Sequence, residues 1–284
     1  MVKKVVRKSM KIRASGRSTD YISPSFGYGC LFNCSYCYMK RHLSTGLTIA
    51  TNTDSILQEI DRHSHFYADV VKPNQTHATY ITYDISCNED FALHSKYHDW
   101  QKIFEFFKNH PTAMGSFATK TVPTNFLTFN PNQKIRIRFS LMPQKLADIL
   151  EPNTAKITDR IKAIDQFVEA GYDVHVNFSP IVLYKGWKKD YTELFYELNT
   201  IQSKSVVKAE CIMLTHNKQK HEYNIENNLP GEDLLWNPLI QENKVSQYGG
   251  HNLRYQLPIK ELAIEMFKET HERVIPWNTI RYIF

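Results

Sequence analysis

Apolar and polar positions recur along this chain in two periods, and the periods take turns. Between 53 and 66, TDSILQEIDRHSHF puts Ile56, Leu57 and Ile60 on one helical face, with Thr53 or Asp54 available as a cap. HATYITYDIS (77–86) is β-branched and aromatic, which predicts a strand. YHDWQKIFEFFKNH (97–110) returns to helical spacing and stops before Pro111. GSFATK (115–120) is a weaker strand, whereas KIRIRFSL (134–141) alternates clearly.

The strongest local signal is TDRIKAIDQFVEAGYDVHVNFSPI. Thr158 can cap a helix whose buried stripe is Ile161, Ile164, Phe167 and Val168, and Gly171 fits the position just past its end. Val174, Val176 and Phe178 then alternate into a strand. DYTELFYELNTI (190–201) reads as a helix, VKAECIMLTH (207–216) as a strand and IKELAIEMFKETHERV (259–274) as a closing helix. About six strand-then-helix units argue for an α/β fold with a parallel sheet, closed or partly closed into a barrel. Functional residues then belong at the C-terminal ends of the strands. Residues 217–258 are polar, rich in Asn and interrupted by Pro230, Pro238 and Pro258, so they read as a loop-rich covering region. The expected organisation is a tail over 1–19, a barrel over 20–216 and a C-terminal extension over 217–284 packed on it.

Composition narrows the class. Apolar residues make up 42% and aromatics 13%, enough for a large core. No apolar run approaches a membrane span and no secretory leader is recognisable, so the expectation is a cytoplasmic protein with no membrane partner. The net charge of +6 is local: residues 1–19 hold seven Lys/Arg and no acid, leaving 28 basic against 29 acidic residues elsewhere. Such a tail suits a polyanion, whose counterions it releases, or is simply a solvated terminus.

The chemistry concentrates in GCLFNCSYCYMKRH (29–42), where Cys30, Cys34 and Cys37 fall within eight positions. A structural zinc site or a complete iron–sulfur cluster takes four protein ligands. One reading is therefore a zinc knuckle, with His42 or a distant His as the fourth ligand and nucleic-acid binding as the role. The other is a cubane [4Fe-4S] cluster on three thiolates, whose remaining iron is open to a small molecule. Zinc motifs usually come as two cysteine pairs, so the spacing favours the cluster.

C-x3-C-x2-C with an aromatic, Tyr36, before the last Cys resembles the radical S-adenosylmethionine (SAM) superfamily. That resemblance implies a [4Fe-4S] cluster whose open iron chelates S-adenosyl-L-methionine, and one-electron cleavage to a 5′-deoxyadenosyl radical. It also implies an electron donor such as flavodoxin or ferredoxin. Over roughly 22–284 the chain further resembles the spore photoproduct lyase family, through GCLFNCSYCYMKRH, IRIRFSL, the 151–198 stretch and QYGG. Within 151–198, Glu151-Pro152, Arg160, Ala170-Gly171-Tyr172, Pro180-Ile181 and Gly186-Trp187 recur at family spacing.

The family resemblance implies a partial (β/α)6 TIM-like barrel and lyase chemistry that reverses a methylene-linked thymine dimer in DNA. It assigns Cys30, Cys34 and Cys37 to the metal. Tyr36 and Tyr38 fall near the cofactor as hydrogen-atom relays, and Lys120 falls where an ammonium can pair with the cofactor carboxylate. Ser140 and Ser179 fall at strand ends facing the cofactor. Each has a plainer reading, as core aromatic, solvated lysine or helix-capping serine.

Two positions depart from the family. Its Cys-Thr-Ser-Asp-Ile motif, at the end of the second strand, supplies the thiol that returns a hydrogen atom. Set against ITYDI, that motif places Ile81 at the thiol, with Cys87 either a displaced donor or a small buried side chain. Gln247-Tyr248 stands where the lyases have Arg-Tyr, and most of the family segment ahead of the triad is missing. A modified nucleoside or a peptide is the alternative substrate to DNA.

Overall fold

The computed structural model describes residues 2–37, 39, 46–245 and 250–284. The chain divides into two compact units: 1–31, 44–139 and 163–175 form the first, and 32–43, 140–162 and 176–284 the second. Tyr38, His42 and the Gln247-Tyr248 pair lie outside the described residues.

The first unit opens with β1 (Val2–Val5), β2 (Arg13–Ala14), β3 (Tyr21–Ile22), β4 (Gly27–Tyr28) and β5 (Leu47–Ala50). β1 pairs in parallel with β5, and β4 pairs antiparallel on the other edge of β5. Part of the basic segment is thus strand. Asn52 holds the next stretch by accepting from the Arg7 amide at 2.6 Å and donating to the Arg7 carbonyl at 3.0 Å. With its side chain committed there, Asn52 occupies the N-cap of α1 (Thr53–Phe66) without capping it.

β6 (Ile81–Asp84), α2 (Trp100–Asn109), β7 (Ala113–Thr119) and β8 (Ile135–Ser140) follow. β3, β6, β7 and β8 pair in parallel in that order, and β2 adds antiparallel to β3. β6 is shorter than the expected 77–86, because the amides of Thr79 and Tyr80 both bond the His77 ring at 3.1 Å instead of entering the ladder. Asp99 caps α2 by accepting from the Lys102 amide. β7 and β8 are joined by a 3-10 turn over Thr124–Thr128, so strand and helix do not alternate regularly at this crossover.

All residues of β8 are buried, on both faces. Its alternation therefore marks two interior surfaces, one apolar (Ile135, Ile137, Phe139) and one charged. Arg136 bonds Asp173 at 2.7 Å and the Thr76 carbonyl at 3.2 Å, and Arg138 bonds Asp84 at 2.9 Å. The apolar core centres on Phe126, whose ring centroid lies 4.7 Å from Trp100 and 4.9 Å from Phe104.

α3 (Gln144–Leu150) lies in the second unit, and α4 (Ile157–Glu169) and β9 (Asp173–Ile181) run through the division. α5 (Trp187–Leu198), β10 (Lys208–Met213) and β11 (Thr215–Asn217) come next. The 217–258 segment, read from its polarity as loop-rich, contains α6 (Lys218–Glu226), α7 (Glu232–Leu235), β12 (Gln241–Val245) and β13 (His251–Tyr255). α6 buries Lys220 and Asn224 rather than an apolar stripe, so no hydrophobic period announces it. α8 (Leu257–Val274) and β14 (Thr279–Ile283) close the chain. β10 pairs in parallel with β14, and β13 runs antiparallel between β11 and β12. Phe178, Tyr191, Phe195 and Phe267 form this unit's aromatic core, with Phe195 and Phe267 centroids 5.2 Å apart.

α4 ends as its sequence requires. Gly171 has φ +90°, its amide bonds the Val168 carbonyl and the Tyr172 amide bonds the Phe167 carbonyl, which together form a Schellman motif. A β-carbon there would also collide with the Asn130 side-chain amide. Gly171→Ala is expected to destabilise the protein by roughly 1–3 kcal/mol. The midpoint of denaturant unfolding should fall without a change in slope.

Candidate active site

The cysteine loop is anchored separately in each unit. In the first, the Gly29 amide bonds the Asn88 carbonyl at 3.0 Å and the Leu31 amide donates to His94 Nε2 at 3.3 Å. His94 Nδ1 and His98 Nε2 each lie 2.9 Å from Glu89 Oε2. Because the Leu31 amide needs an acceptor, Nε2 carries no proton and Nδ1–H donates to Glu89. Gly27 has to be glycine beside this group, since a β-carbon would overlap the Glu89 carboxylate. Burial alone raises the Glu89 carboxyl, but the hydrogen bonds from His94 and His98 outweigh it and hold the group below its ordinary value.

In the second unit, the Ser35 amide bonds the Leu150 carbonyl at 2.9 Å. Ser35 Oγ donates to the Pro230 carbonyl at 3.2 Å, and its own carbonyl accepts from Asn224 Nδ2 at 3.0 Å. Cys34 and Cys37 share a tight turn, with the Cys37 amide on the Cys34 carbonyl at 3.1 Å. Beneath it, the Tyr36 hydroxyl donates to Glu151, whose other oxygen takes both terminal nitrogens of Arg160 at 3.1 Å. Arg160 also donates to the Ser140 carbonyl at 2.7 Å and the Ala155 carbonyl at 3.0 Å. Burial, then the Glu151 charge, pushes the Tyr36 phenol well above its ordinary value.

The expected site residues resolve unevenly. Cys34 is buried, while Cys30 and Cys37 are part-exposed, and all three thiols are free of disulfides. Cys211, in β10, is buried, and burial pushes its thiol well up, away from the thiolate a metal needs. Lys120 directly follows β7; its amide bonds Asp90 Oδ2 at 2.9 Å while Thr119 Oγ1 bonds Asp90 Oδ1 at 2.8 Å. Ser140 ends β8, and Ser179 lies two residues before the end of β9. Tyr36 has its hydroxyl committed to Glu151, a bond its aromatic place in the motif did not disclose.

Ile81 is corrected by the structure. It opens β6, buried at 1% exposure, instead of closing it, so a thiol there would sit at the wrong end of the strand. Cys87 lies three residues beyond the last residue of β6, with Arg13 Nη2 at 3.9 Å from its sulfur. Set in register from Cys87, the family motif meets Cys87-Asn88-Glu89-Asp90-Phe91, which keeps an aspartate as the fourth residue.

The fold is thus mixed α/β, with a three-thiol loop after its first short strands. The family model for spore photoproduct lyase matches residues 2–284, and the chain belongs to that family. The spore photoproduct lyase of Bacillus subtilis (strain 168) is 26% identical over 284 residues, 98% of this chain and 80% of that protein. That of Clostridium acetobutylicum is 26% identical over 192 residues, 66% of this chain and 54% of its own length. A solved spore photoproduct lyase complexed with dinucleoside spore photoproduct matches all of this chain and 82% of its own, with TM-score 0.87 and 22% identity. A mutant lyase with bound AdoMet and dinucleoside spore photoproduct covers the same shares, with TM-score 0.88 and 22% identity. Among the described residues no helix is long and apolar enough to cross a membrane.

Two outcomes follow from the loop's anchors. Arg160→Leu leaves the Glu151 carboxylate buried without its partner, which is expected to cost about 3–5 kcal/mol. Hydrogen exchange at the Ser35 amide should accelerate more than global unfolding accounts for, whereas uniform acceleration would mean that the pair does not brace the loop. At the other anchor, a carboxyl depressed on folding contributes stability that is present above its unfolded value and lost as pH falls through the folded one. Glu89→Gln should therefore lower stability at pH 7 by roughly 1–3 kcal/mol and flatten the acid limb below about pH 4.5. Denaturant midpoints across pH 3–7 measure both.

Proposed function

We propose that the chain is a radical SAM lyase acting on a thymine photoproduct in DNA. The observation carrying this reading is the three-thiol loop in a chain that the family model matches over 2–284. The donor set fits the cofactor: three thiols outside any disulfide stand within eight residues, two of them part-exposed, and the loop backbone is fixed by hydrogen bonds within each unit. Cys30, Cys34 and Cys37 hold a [4Fe-4S] cluster and leave one iron for S-adenosyl-L-methionine. When bound, the pair supplies a 5′-deoxyadenosyl radical, with flavodoxin or ferredoxin as the electron donor.

The chain's own residues do the rest. Tyr36, through Glu151 and Arg160, fixes the turn that carries Cys34 and Cys37. Lys120 offers an ammonium to the cofactor carboxylate at the end of β7, and Ser140 and Ser179 offer hydroxyls to its polar groups. Tyr38 keeps its place as a hydrogen-atom relay. Cys87 is the thiol of the family motif: its S–H bond breaks as a C–H bond forms on the substrate radical, leaving a thiyl radical. In this reading the parallel strands belong to the family's partial (β/α)6 barrel, which places Cys87 at the C-terminal end where substrate meets the cofactor. The basic 1–19 segment carries phosphate contacts to DNA.

The test is anaerobic reconstitution with iron and sulfide, then assay on dinucleoside spore photoproduct. Cys34→Ala is expected to abolish 5′-deoxyadenosine formation. Cys87→Ala should retain it but divert substrate from repaired thymine to side products. A parent protein that holds zinc at the triad and cleaves no cofactor would sink the radical reading. Cofactor cleavage without thymine repair would move the substrate to a modified nucleoside or a peptide.

A further inference from the structure

A second cluster of metal-ligating groups uses none of the cysteines. His216 on β11, His221 on α6 and Glu232 opening α7 bring two imidazole nitrogens and a carboxylate oxygen within 4.8 Å of one another. Glu232 Oε1 lies 2.9 Å from His216 Nε2 and 2.5 Å from His221 Nδ1. His216 is fully buried, the Glu232 side chain is 9% exposed and that of His221 20%. The other Glu232 oxygen is held by Asn224 Nδ2 at 2.5 Å, so the carboxylate is fixed in orientation from behind.

A second observation points to a ligand. Asn224 Oδ1, on the side chain that holds Glu232, is a buried acceptor with no hydrogen-bond partner among the described residues. Buried polar atoms in native proteins are nearly always bonded, and a cluster with such an exception is incomplete as a set of hydrogen bonds alone. Both rings also turn a nitrogen toward one carboxylate oxygen, so three ligand atoms gather within 4.8 Å.

We propose that His216, His221 and Glu232 form a zinc site, with the fourth position open to water. Two imidazoles and a carboxylate are a donor set that zinc accepts, and bonds of about 2.0–2.1 Å set tetrahedral ligand atoms about 3.3 Å apart. The carboxylate has to withdraw by less than about 1 Å to admit the ion, given the present 2.5 and 2.9 Å separations. The protons balance without release. Each neutral ring moves its N–H to its far nitrogen, Nδ1 on His216 and Nε2 on His221, and gives its near lone pair to the metal. The site joins β11, α6 and α7. Through Asn224, which bonds both Glu232 and the Ser35 carbonyl, it also braces the turn between Cys34 and Cys37.

The reading is independent of the radical chemistry, and the experiment keeps the two apart. Full-length protein with its iron–sulfur cluster is passed over chelating resin, and iron and zinc are measured together. One zinc per chain beyond the iron is expected. To keep zinc off the thiols, the full chain carrying Cys30→Ala, Cys34→Ala and Cys37→Ala is titrated with cobalt(II). Intense four-coordinate d–d absorption at one equivalent is expected. Glu232→Gln on that background should weaken cobalt binding at least about tenfold, on the scale by which disturbed metal sites lose affinity. His221→Gln, at the more exposed ligand, should do the same and serves if the first variant does not fold. Protein that keeps no zinc, or a cobalt spectrum unchanged by both substitutions, overturns the site and leaves a hydrogen-bonded brace.

Discussion

The position of the cysteine loop in the second unit rests on one buried ion pair, Glu151 with Arg160. Both side chains are at most 1% exposed, a placement that desolvation penalises unless every bonding position is filled. Here four of the five Arg160 N–H donors and both Glu151 oxygens are engaged. Glu151 takes two bonds from Arg160 and one from Tyr36, and Arg160 spends two other donors on the Ser140 and Ala155 carbonyls. A single charge pair thus joins the end of α3, the start of α4, the end of β8 and the middle of the cysteine motif. Replacing it with apolar residues of equal volume need not unfold the protein, but it would remove the carboxylate that holds the Tyr36 hydroxyl.

Glu89 solves a similar problem differently in the first unit. Its carboxylate is buried with two histidines and no arginine, so its charge is compensated only by hydrogen bonds and ring polarity. The benefit is geometric: His94, oriented by Glu89, has one nitrogen free to receive the Leu31 amide. Cys30 thus sits between two anchored amides, those of Gly29 and Leu31, while Cys34 precedes the anchored Ser35 in the second unit.

Much of this was legible from the chain, because the physics was local. The Gly171 turn follows from its place after an apolar stripe, and the thiol spacing needs no fold to be seen. What escaped is non-local. KIRIRFSL alternates like a half-exposed strand, yet Arg136 and Arg138 are buried because Asp173, Thr76 and Asp84 meet them from distant positions. α6 was missed because its buried side chains are Lys220 and Asn224. The Ile81 register failed because two short stretches, ITYDI and SCNEDF, share an aspartate. Only the strand boundary at Asp84 tells which one lies past the strand's end.

That boundary carries a further consequence through Asp90. Its carboxylate accepts from Thr119 Oγ1 and the Lys120 amide, and from the Leu93 amide at 3.1 Å on its own segment. β6 and β7 are parallel neighbours, so the residues just past Asp84 and Thr119 emerge side by side. One buried carboxylate then fixes the segment bearing Cys87 against the residue that begins the Lys120 turn. The segments that carry a thiol and an ammonium are held in a common frame. An aspartate four places into the motif is what such a frame requires: it needs two acceptor oxygens on a short stem, and a longer glutamate would loosen the register it sets. The Cys-x-x-Asp spacing is therefore structural in its last residue, whatever chemistry the first performs.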